Sequence, residues 1–360
     1  MRLKKIDYYL IRKFLVTFFF AIILFSFIAT VIDLTEKIDD FIEKSVPLGE
    51  IVTGYYLNFL PYIDTLLTPL FVFISVIFFT SRMAYRSEII AMLASGISFY
   101  RMLVPYLIAA GFVAALLFLA NHYWVPLANK GRYAFEYTYL SGSHHNAERN
   151  FHAQIETNHY IYMENYQPKN MAGYKFSYEI IRDGKLEYKL RADKIEWDAQ
   201  RQRWIIKNYY ARRIGDNGEQ ITTGTLLDTV FNFHPEDITQ KVNVKEEMPT
   251  PQLKQYIQTL RLRGASGIEF YLVELYRRTA DAFMIFILTL IGVALSSRKV
   301  RGGSGLHLAA GVALSASFIV LTRFSTTFAT NGNLSPFLSI WIPNLLYGLL
   351  AVYLIRAAPK

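Results

Sequence analysis

Phe14-Leu-Val-Thr-Phe-Phe-Phe-Ala-Ile-Ile-Leu-Phe-Ser-Phe-Ile-Ala-Thr-Val-Ile32 is an unbroken uncharged run. Arg2, Lys4, Lys5, Arg12 and Lys13 precede it, and Asp33 and Glu36 follow it. A helix rises about 1.5 Å per residue, so roughly 20 apolar residues cross a hydrocarbon core. The run has that length. It is longer than the apolar part of a secretory signal and ends without a small-x-small cleavage site. It therefore reads as a retained first transmembrane helix, and it sets the class of the chain.

Working outward, comparable runs lie at about 57–80, 102–121, 280–296, 306–324 and 336–355. The second carries Pro61, Asp64 and Pro69. With six spans, Arg2 to Lys13, Arg82, Arg86, Arg101, Arg298, Lys299, Arg301, Arg356 and Lys360 all fall on one side. The positive-inside rule makes that side cytoplasmic, with both termini there. The loop 33–50 is rich in acids (Asp33, Glu36, Asp39, Asp40, Glu43, Glu50) and falls outside, as does everything from about 122 to 270. The net charge is +9 over 360 residues, 52% of them hydrophobic. Much of the positive charge flanks apolar runs, which argues against a nucleic-acid surface. No cysteine is present, so disulfides, thiolate metal sites and cysteine nucleophiles are excluded.

The middle of the chain changes character. Tyr160-Ile-Tyr-Met-Glu-Asn-Tyr166 and Trp204-Ile-Ile-Lys-Asn-Tyr-Tyr210 are aromatic and β-branched, and Asp183-Gly184 and Gly215-Asp-Asn-Gly218 separate the runs. These signals predict an antiparallel sandwich or jelly roll. The expected fold is an α-helical membrane protein with six transmembrane helices, three before and three after an inserted all-β, jelly-roll-like periplasmic domain. The expected boundaries are 1–139, 140–250 and 251–360, with a helix at 252–263 leading toward the fourth span.

Signatures of catalysis and cofactors are missing. Gly302-Gly-Ser-Gly305 and Gly264-Ala-Ser-Gly267 have neither the lysine nor the preceding strand of a phosphate loop, and no H-E-x-x-H occurs. His144 and His145 share a polar loop, read as solvated. No metal, cofactor or enzymatic role is expected. Asp64 is the clearest intramembrane carboxylate, near the outer end of its span, and no chain of acids accompanies it. The loop Ser81-Arg-Met-Ala-Tyr-Arg-Ser-Glu-Ile-Ile-Ala-Met-Leu-Ala-Ser-Gly-Ile-Ser98 is more informative. Ser87 can cap a short helix over about 87–96, Ile89, Ile90, Met92 and Leu93 give it an apolar face, and Gly96 stops it. Such a helix either lies in the interface or docks into a cytoplasmic partner.

Glu88-Ile-Ile-Ala-Met-Leu-Ala-Ser-Gly-Ile-Ser98 resembles the coupling helix of the LptF/LptG permeases. Arg301-Gly302-Gly303, Trp341-Ile-Pro-Asn344 after Pro336, and Met248 to Leu260 resemble further segments of that family, in order along the whole chain. The resemblance implies the permease subunit of an ABC transporter that extracts lipopolysaccharide from the inner membrane toward outer-membrane delivery. It implies an LptB-like ATPase dimer, a second LptF/LptG-like chain and an LptC-like periplasmic bridge as partners, besides membrane lipids. Arg86, Glu88, Ile89, Met92, Leu93 and Gly96 would then form the ATPase-coupling site. Glu88 would offer a carboxylate to a basic groove. Lipopolysaccharide carries phosphates, so cations on the outer side become lipid-binding candidates: Lys37, Lys130, Arg132, Arg277, Arg278 and Arg323. Two positions depart from the family pattern. Asp33 stands where LptG-like chains often carry lysine, with Lys37 one turn later, and Ala282 stands where proline is common. The start Asp7-Tyr-Tyr-Leu-Ile-Arg12 leans to LptG. Two rival functions remain: an ion-coupled secondary transporter, hinted at by Asp64 with Pro61 and Pro69, and a membrane-anchored periplasmic scaffold. An ABC mechanotransmission protein would usually have four spans.

Overall fold

A computed structural model describes residues 4–140, 148–298 and 304–358, apart from 168–169, 183, 216–217, 232, 236–237, 239–243, 263–266 and 332–333. Arg2, His144, His145, Lys299, Lys360 and the Arg301-Gly302-Gly303 segment lie outside the described residues. The chain divides into two compact units. The first holds Met1–Tyr139, Glu246–Thr250 and Glu269–Lys360, and the second holds Leu140–Lys245 and Pro251–Ile268.

In the first unit, helix α1 runs Lys5–Glu43 and α2 runs Leu48–Tyr85, with a π-helical stretch at Ile51–Tyr56. The short α3 spans Glu88–Ala94, and α4 spans Phe99–Leu140 with π-helical turns at Ala120–Trp124 and Glu136–Leu140. After the β insert come α5 (Val244–Glu247), which straddles the unit boundary, α6 (Thr250–Leu262), which belongs to the second unit from Pro251 on, and then α7 (Ile268–Ser296), α8 (Ser304–Thr330) and α9 (Pro336–Ala357) of the first. Among the described residues six helices are long and apolar enough to cross a membrane: α1, α2, α4, α7, α8 and α9. α1 extends well past the apolar run because residues 33–43 continue as a polar helix with Phe41 turned inward. Lys5, Glu88 and Arg101 mark the terminal end of this unit, and the opposite end is the distal one.

α2 is the shared element of this unit. Val72, Val76, Phe79 and Met83 pack with Phe14 and Phe18 of α1, Tyr106 and Ala110 of α4, and Ile285 and Val293 of α7. On its other side Phe73 and Ile77 pack with Leu288 of α7, Leu314 and Phe318 of α8, and Tyr347 of α9. Helices in lipid approach closely where residues are small. Gly292 serves that need on α7, since a Cβ there would lie 2.9 Å from Val76 Cγ1 and 3.2 Å from Phe73. Phe20, Ile23, Leu24, Phe27 and Val31 of α1 point outward, as a lipid-facing surface does.

In the second unit, β1 (Glu148–Glu156), β2 (His159–Gln167), β3 (Ala172–Arg182), β4 (Lys185–Asp198), β5 (Arg203–Gly215) and β6 (Gly218–Thr229) form one antiparallel sheet in sequential order. One face carries the core: Ile161, Met163, Tyr166, Phe176, Leu190, Ile195, Trp204, Ile206 and Phe233. Trp204 is fully enclosed, and its Nε1–H donates to the Phe233 carbonyl at 2.9 Å. Burial pushes the Tyr166 phenol up to about 12.

Inward residues should recur every second position. Here they skip one: Met163 is followed by Tyr166, and Ala192 by Ile195. Between them the ladder pairing passes over Glu164, Lys175, Asp193 and Asn208, which lie at one level on β2 to β5. Lys175 and Asn208 have φ of 51°. An extra residue bends a strand. Because each of these strands carries one at the same level, register is kept while the sheet bends as a whole. That bend wraps a simple meander around its own core. Outside it, Lys175 pairs with Glu164 at 2.6 Å and Asn208 donates to Asp193 at 3.1 Å.

Candidate functional site

α2 stops at Arg86, and Ser87 turns the chain with a left-handed backbone, φ 60° and ψ 14°. Ser87 therefore positions α3 by its backbone, and its side chain makes no cap hydrogen bond. That differs from the expectation, because the capping geometry needs an extended residue. At the far end Gly96, at φ +85°, lets the Gly96 and Ile97 amides donate to the Leu93 and Met92 carbonyls at 3.0 and 3.3 Å. This is the glycine-terminated helix end that a Cβ would strain. Ser98 then caps α4 by accepting from the Arg101 amide at 3.3 Å.

The apolar residues of α3 divide between two faces. Ile89 is 1% exposed and belongs to the core formed with Leu10, Phe14 and Met83, against which Met92 and Leu93 also pack. Ile90, Ala91 and Ala94 face outward with Tyr85 and Arg86. The Glu88 carboxylate turns toward α1. Its Oε2 accepts from the Tyr9 hydroxyl at 2.7 Å and lies 3.4 Å from Lys13 Nζ. Beside it, Asp7 is buried and takes a two-pronged bond from Arg101, at 2.8 and 2.5 Å. Tyr9, Lys13, Asp7 and Arg101 escape linear reading, because their partners lie 75 to 94 positions away.

The cations expected on the outer side separate into distinct settings. Lys37 is held by Asp33 at 2.6 Å, by the Tyr55 hydroxyl, and by the faces of Tyr55 and Phe59. The same Asp33 accepts from Tyr55 and Tyr56. The departure at position 33 thus creates an ion pair within α1. Arg132 is buried, lies over the ring of Tyr62 at 4.0 Å, and approaches Glu136 at 3.8 Å. Glu136 is within electrostatic reach of Lys37 and Asp33, so Lys37 and Arg132 share one neighbourhood between α1, α2 and α4.

A second neighbourhood joins α4, α7 and residues 246–250. Arg278 has a side chain 2% exposed and donates to Glu274 at 3.0 Å, to the Met248 carbonyl at 2.8 Å and to Thr250 at 3.1 Å. Thr250 also bonds His122 Nδ1 at 2.8 Å. Arg277, 36% exposed, bridges Glu274 at 2.8 Å and Asp281 at 3.0 Å. Tyr133 donates to Glu246 at 2.7 Å, and Asn129 to its carbonyl at 3.2 Å. Lys130 is exposed beside Glu247, whose carboxyl is pushed up by burial, with Lys130 pulling it back. Arg323 stands apart, exposed on α8 between Val320 and Phe324. Asp64 accepts from Ser26 at 2.6 Å, joining α2 to α1. Among the described residues no group of three His, Asp or Glu could hold a metal ion. Ala282 is buried in an unbroken α7.

Six apolar helices, three before and three after an inserted antiparallel sheet, with a short helix clasped against the first of them, define a multi-pass membrane protein. The sequence model of the family described as lipopolysaccharide export system permease LptF/LptG matches residues 8–357. The chain belongs to that family, whose members are permease subunits. No curated protein matches the chain.

Proposed function

We propose that this permease subunit is the membrane half of an ABC transporter that extracts lipopolysaccharide from the inner membrane and passes it to a periplasmic bridge. An LptB-like ATPase dimer supplies the energy, a second LptF/LptG-like chain completes the cavity, and an LptC-like protein receives the lipid. Both termini and α3 face the cytoplasm, and the β domain faces the periplasm. The basic residues at the terminal end support that orientation. The observation that carries the reading is α3 itself. Ile89 is sunk in the helical core while Ile90, Ala91 and Ala94 are presented outward. The outer face of this seven-residue helix is exposed, which leaves it for a partner whose push the buried Ile89 would pass to the core.

Arg86, Glu88, Ile89, Met92, Leu93 and Gly96 form the coupling site in this account, with Ile90 and Ala91 added to its outer face. Among the lipid-side cations, Lys130 and Arg323 are exposed and available to lipid phosphates. Lys37, Arg132, Arg277 and Arg278 act with their acids and aromatic rings, and they hold the cavity wall. The lipid must bind the two cavity states with different affinity for ATP to drive its release.

Reconstituted vesicles containing the permease and its ATPase test the reading. Lipopolysaccharide should leave the vesicles only with ATP, and a protonophore should not alter the rate. Release driven by a proton gradient without ATP would replace this account with ion-coupled transport, for which Asp64 would be the first residue to examine.

A further inference from the structure

Glu88 ties α3 to α1 through two side chains one helical turn apart. Tyr9 and Lys13 both address the same carboxylate oxygen, and Lys13 Nζ lies 4.3 Å from the centre of the Tyr9 ring. Hydroxyl, cation and ring thus close on one another around Oε2. The other oxygen of Glu88 has no partner among the described residues, and the side chain is 26% exposed. Beneath this contact Ile89 packs in the same core as Leu10 and Phe14 of α1. One turn earlier, Asp7 is fixed by Arg101 to the start of α4.

The remainder of α1 is held differently. Its buried side chains are Leu10, Phe14, Phe18 and Ile22, and the next is Phe41. Between them α1 meets α2 through the Phe25 ring on Phe71, with centroids 5.0 Å apart, and through polar bonds from Ser26 to Asp64 and from Tyr55 and Tyr56 to Asp33. A helix gripped by its first turns, held again at Phe41 and without a buried side chain from Ile23 to Asp40 gives way over that middle stretch when its base is moved. We propose that α1 receives the displacement of α3, and that Tyr9 and Lys13 are the positioning residues that transmit it through Glu88. This rests on the reading of α3 as the ATPase contact. A partner's cation on the free oxygen of Glu88 and the α1 side chains on Oε2 would make one carboxylate the relay between them. Partly exposed pairs of this kind add little to folding stability, so loss of this contact is expected to show in transmission and not in folding.

The test uses the permease–ATPase complex in proteoliposomes, with three readouts: ATPase retained per permease, ATP hydrolysed, and lipopolysaccharide released per ATP. Tyr9→Phe with Lys13→Met removes the hydroxyl and the charge but keeps bulk. The double variant should retain the ATPase and its hydrolysis, while lipid released per ATP falls about fivefold or more, the lower end of ordinary coupling energies. Lys13→Arg should keep the ratio. Adding the double substitution to Glu88→Gln should cause no further loss, because all three act through one contact. An unchanged ratio in the double variant, a loss in Lys13→Arg equal to that in Lys13→Met, or full additivity on Glu88→Gln overturns the proposal. Wild-type protein that retains no ATPase would instead overturn the functional reading, and this inference with it.

Discussion

Arg278→Met should loosen the segment Glu246–Thr250 far more than Arg277→Met does. Arg278 is enclosed and supplies an ion pair with Glu274 and hydrogen bonds to the Met248 carbonyl and Thr250. Removing one partner of a buried pair costs about 3–5 kcal/mol, because the other charge is left uncompensated. Glu274 here keeps Arg277 at 2.8 Å, which places the cost at the lower end, about 3 kcal/mol. Arg277 is partly exposed, and exposed pairs contribute about 1 kcal/mol at most. Hydrogen exchange of peptides covering residues 246–250, in detergent or nanodiscs, reads the difference. At 1.4 kcal/mol per decade, Arg278→Met should speed exchange roughly a hundredfold and Arg277→Met less than tenfold. Equal effects, or unchanged exchange in Arg278→Met, would refute the claim that Arg278 is the pin holding this segment to α7.

Trp204→Phe should lower the stability of the β domain by about 1–3 kcal/mol, through the unsatisfied Phe233 carbonyl, read as a reduced urea midpoint in the full chain. Gly292→Val should destabilise the α2–α7 crossing by about 1–3 kcal/mol through overpacking against Val76 and Phe73, seen as a lower melting temperature in detergent. Glu196 lies between Lys194 and Lys207, which face each other directly across β4 and β5. Their hydrogen bonds hold its carboxyl below the ordinary 4.5. Its stabilisation is therefore present above about pH 4.5 and is lost as pH falls through the lowered value. Glu196→Gln should reduce the stability of the sheet at neutral pH and remove that part of its acid sensitivity, measured as denaturant midpoints from pH 3 to 7.

The six spans were legible because hydropathy marks any run that fills a bilayer, and lipid leaves few alternatives to a helix. Hydropathy marks only the apolar stretch, so it marks α1 and α4 short: residues 33–43 and 122–140 are helical but polar enough to look like loop. Tyr160–Tyr166 and Trp204–Tyr210 fall within β2 and β5, Gly184 precedes β4, and Gly215 and Gly218 close β5 and open β6, while Asp183, Asp216 and Asn217 lie outside the described residues. The bend of the sheet left a usable trace. Inward positions step by three at Met163 to Tyr166 and at Ala192 to Ile195, a break in alternation that a strict count would find. The candidate site was legible as a helix and opaque as a mechanism. Glu88 could be placed on a short helix, but nothing in its neighbours announces Tyr9 and Lys13. Likewise, Arg277 and Arg278 look equivalent in sequence, and only the return of residues 246–250 onto α7 makes one a buried pin and the other a partly exposed bridge.

The central claim is that the outer face of α3 engages a separate ATPase on behalf of a lipopolysaccharide exporter. The most direct measurement is to isolate tagged permease gently from its native membrane and identify what accompanies it by mass spectrometry, beside Ala91→Glu and Ile90→Glu. Ala91 is exposed and Ile90 is 51% exposed, so the substitutions spare the core. The account predicts an ABC ATPase and lipopolysaccharide with the wild type, and loss of the ATPase from both variants while each stays folded. A folded wild type that brings neither, or variants that keep the ATPase undiminished, would contradict it.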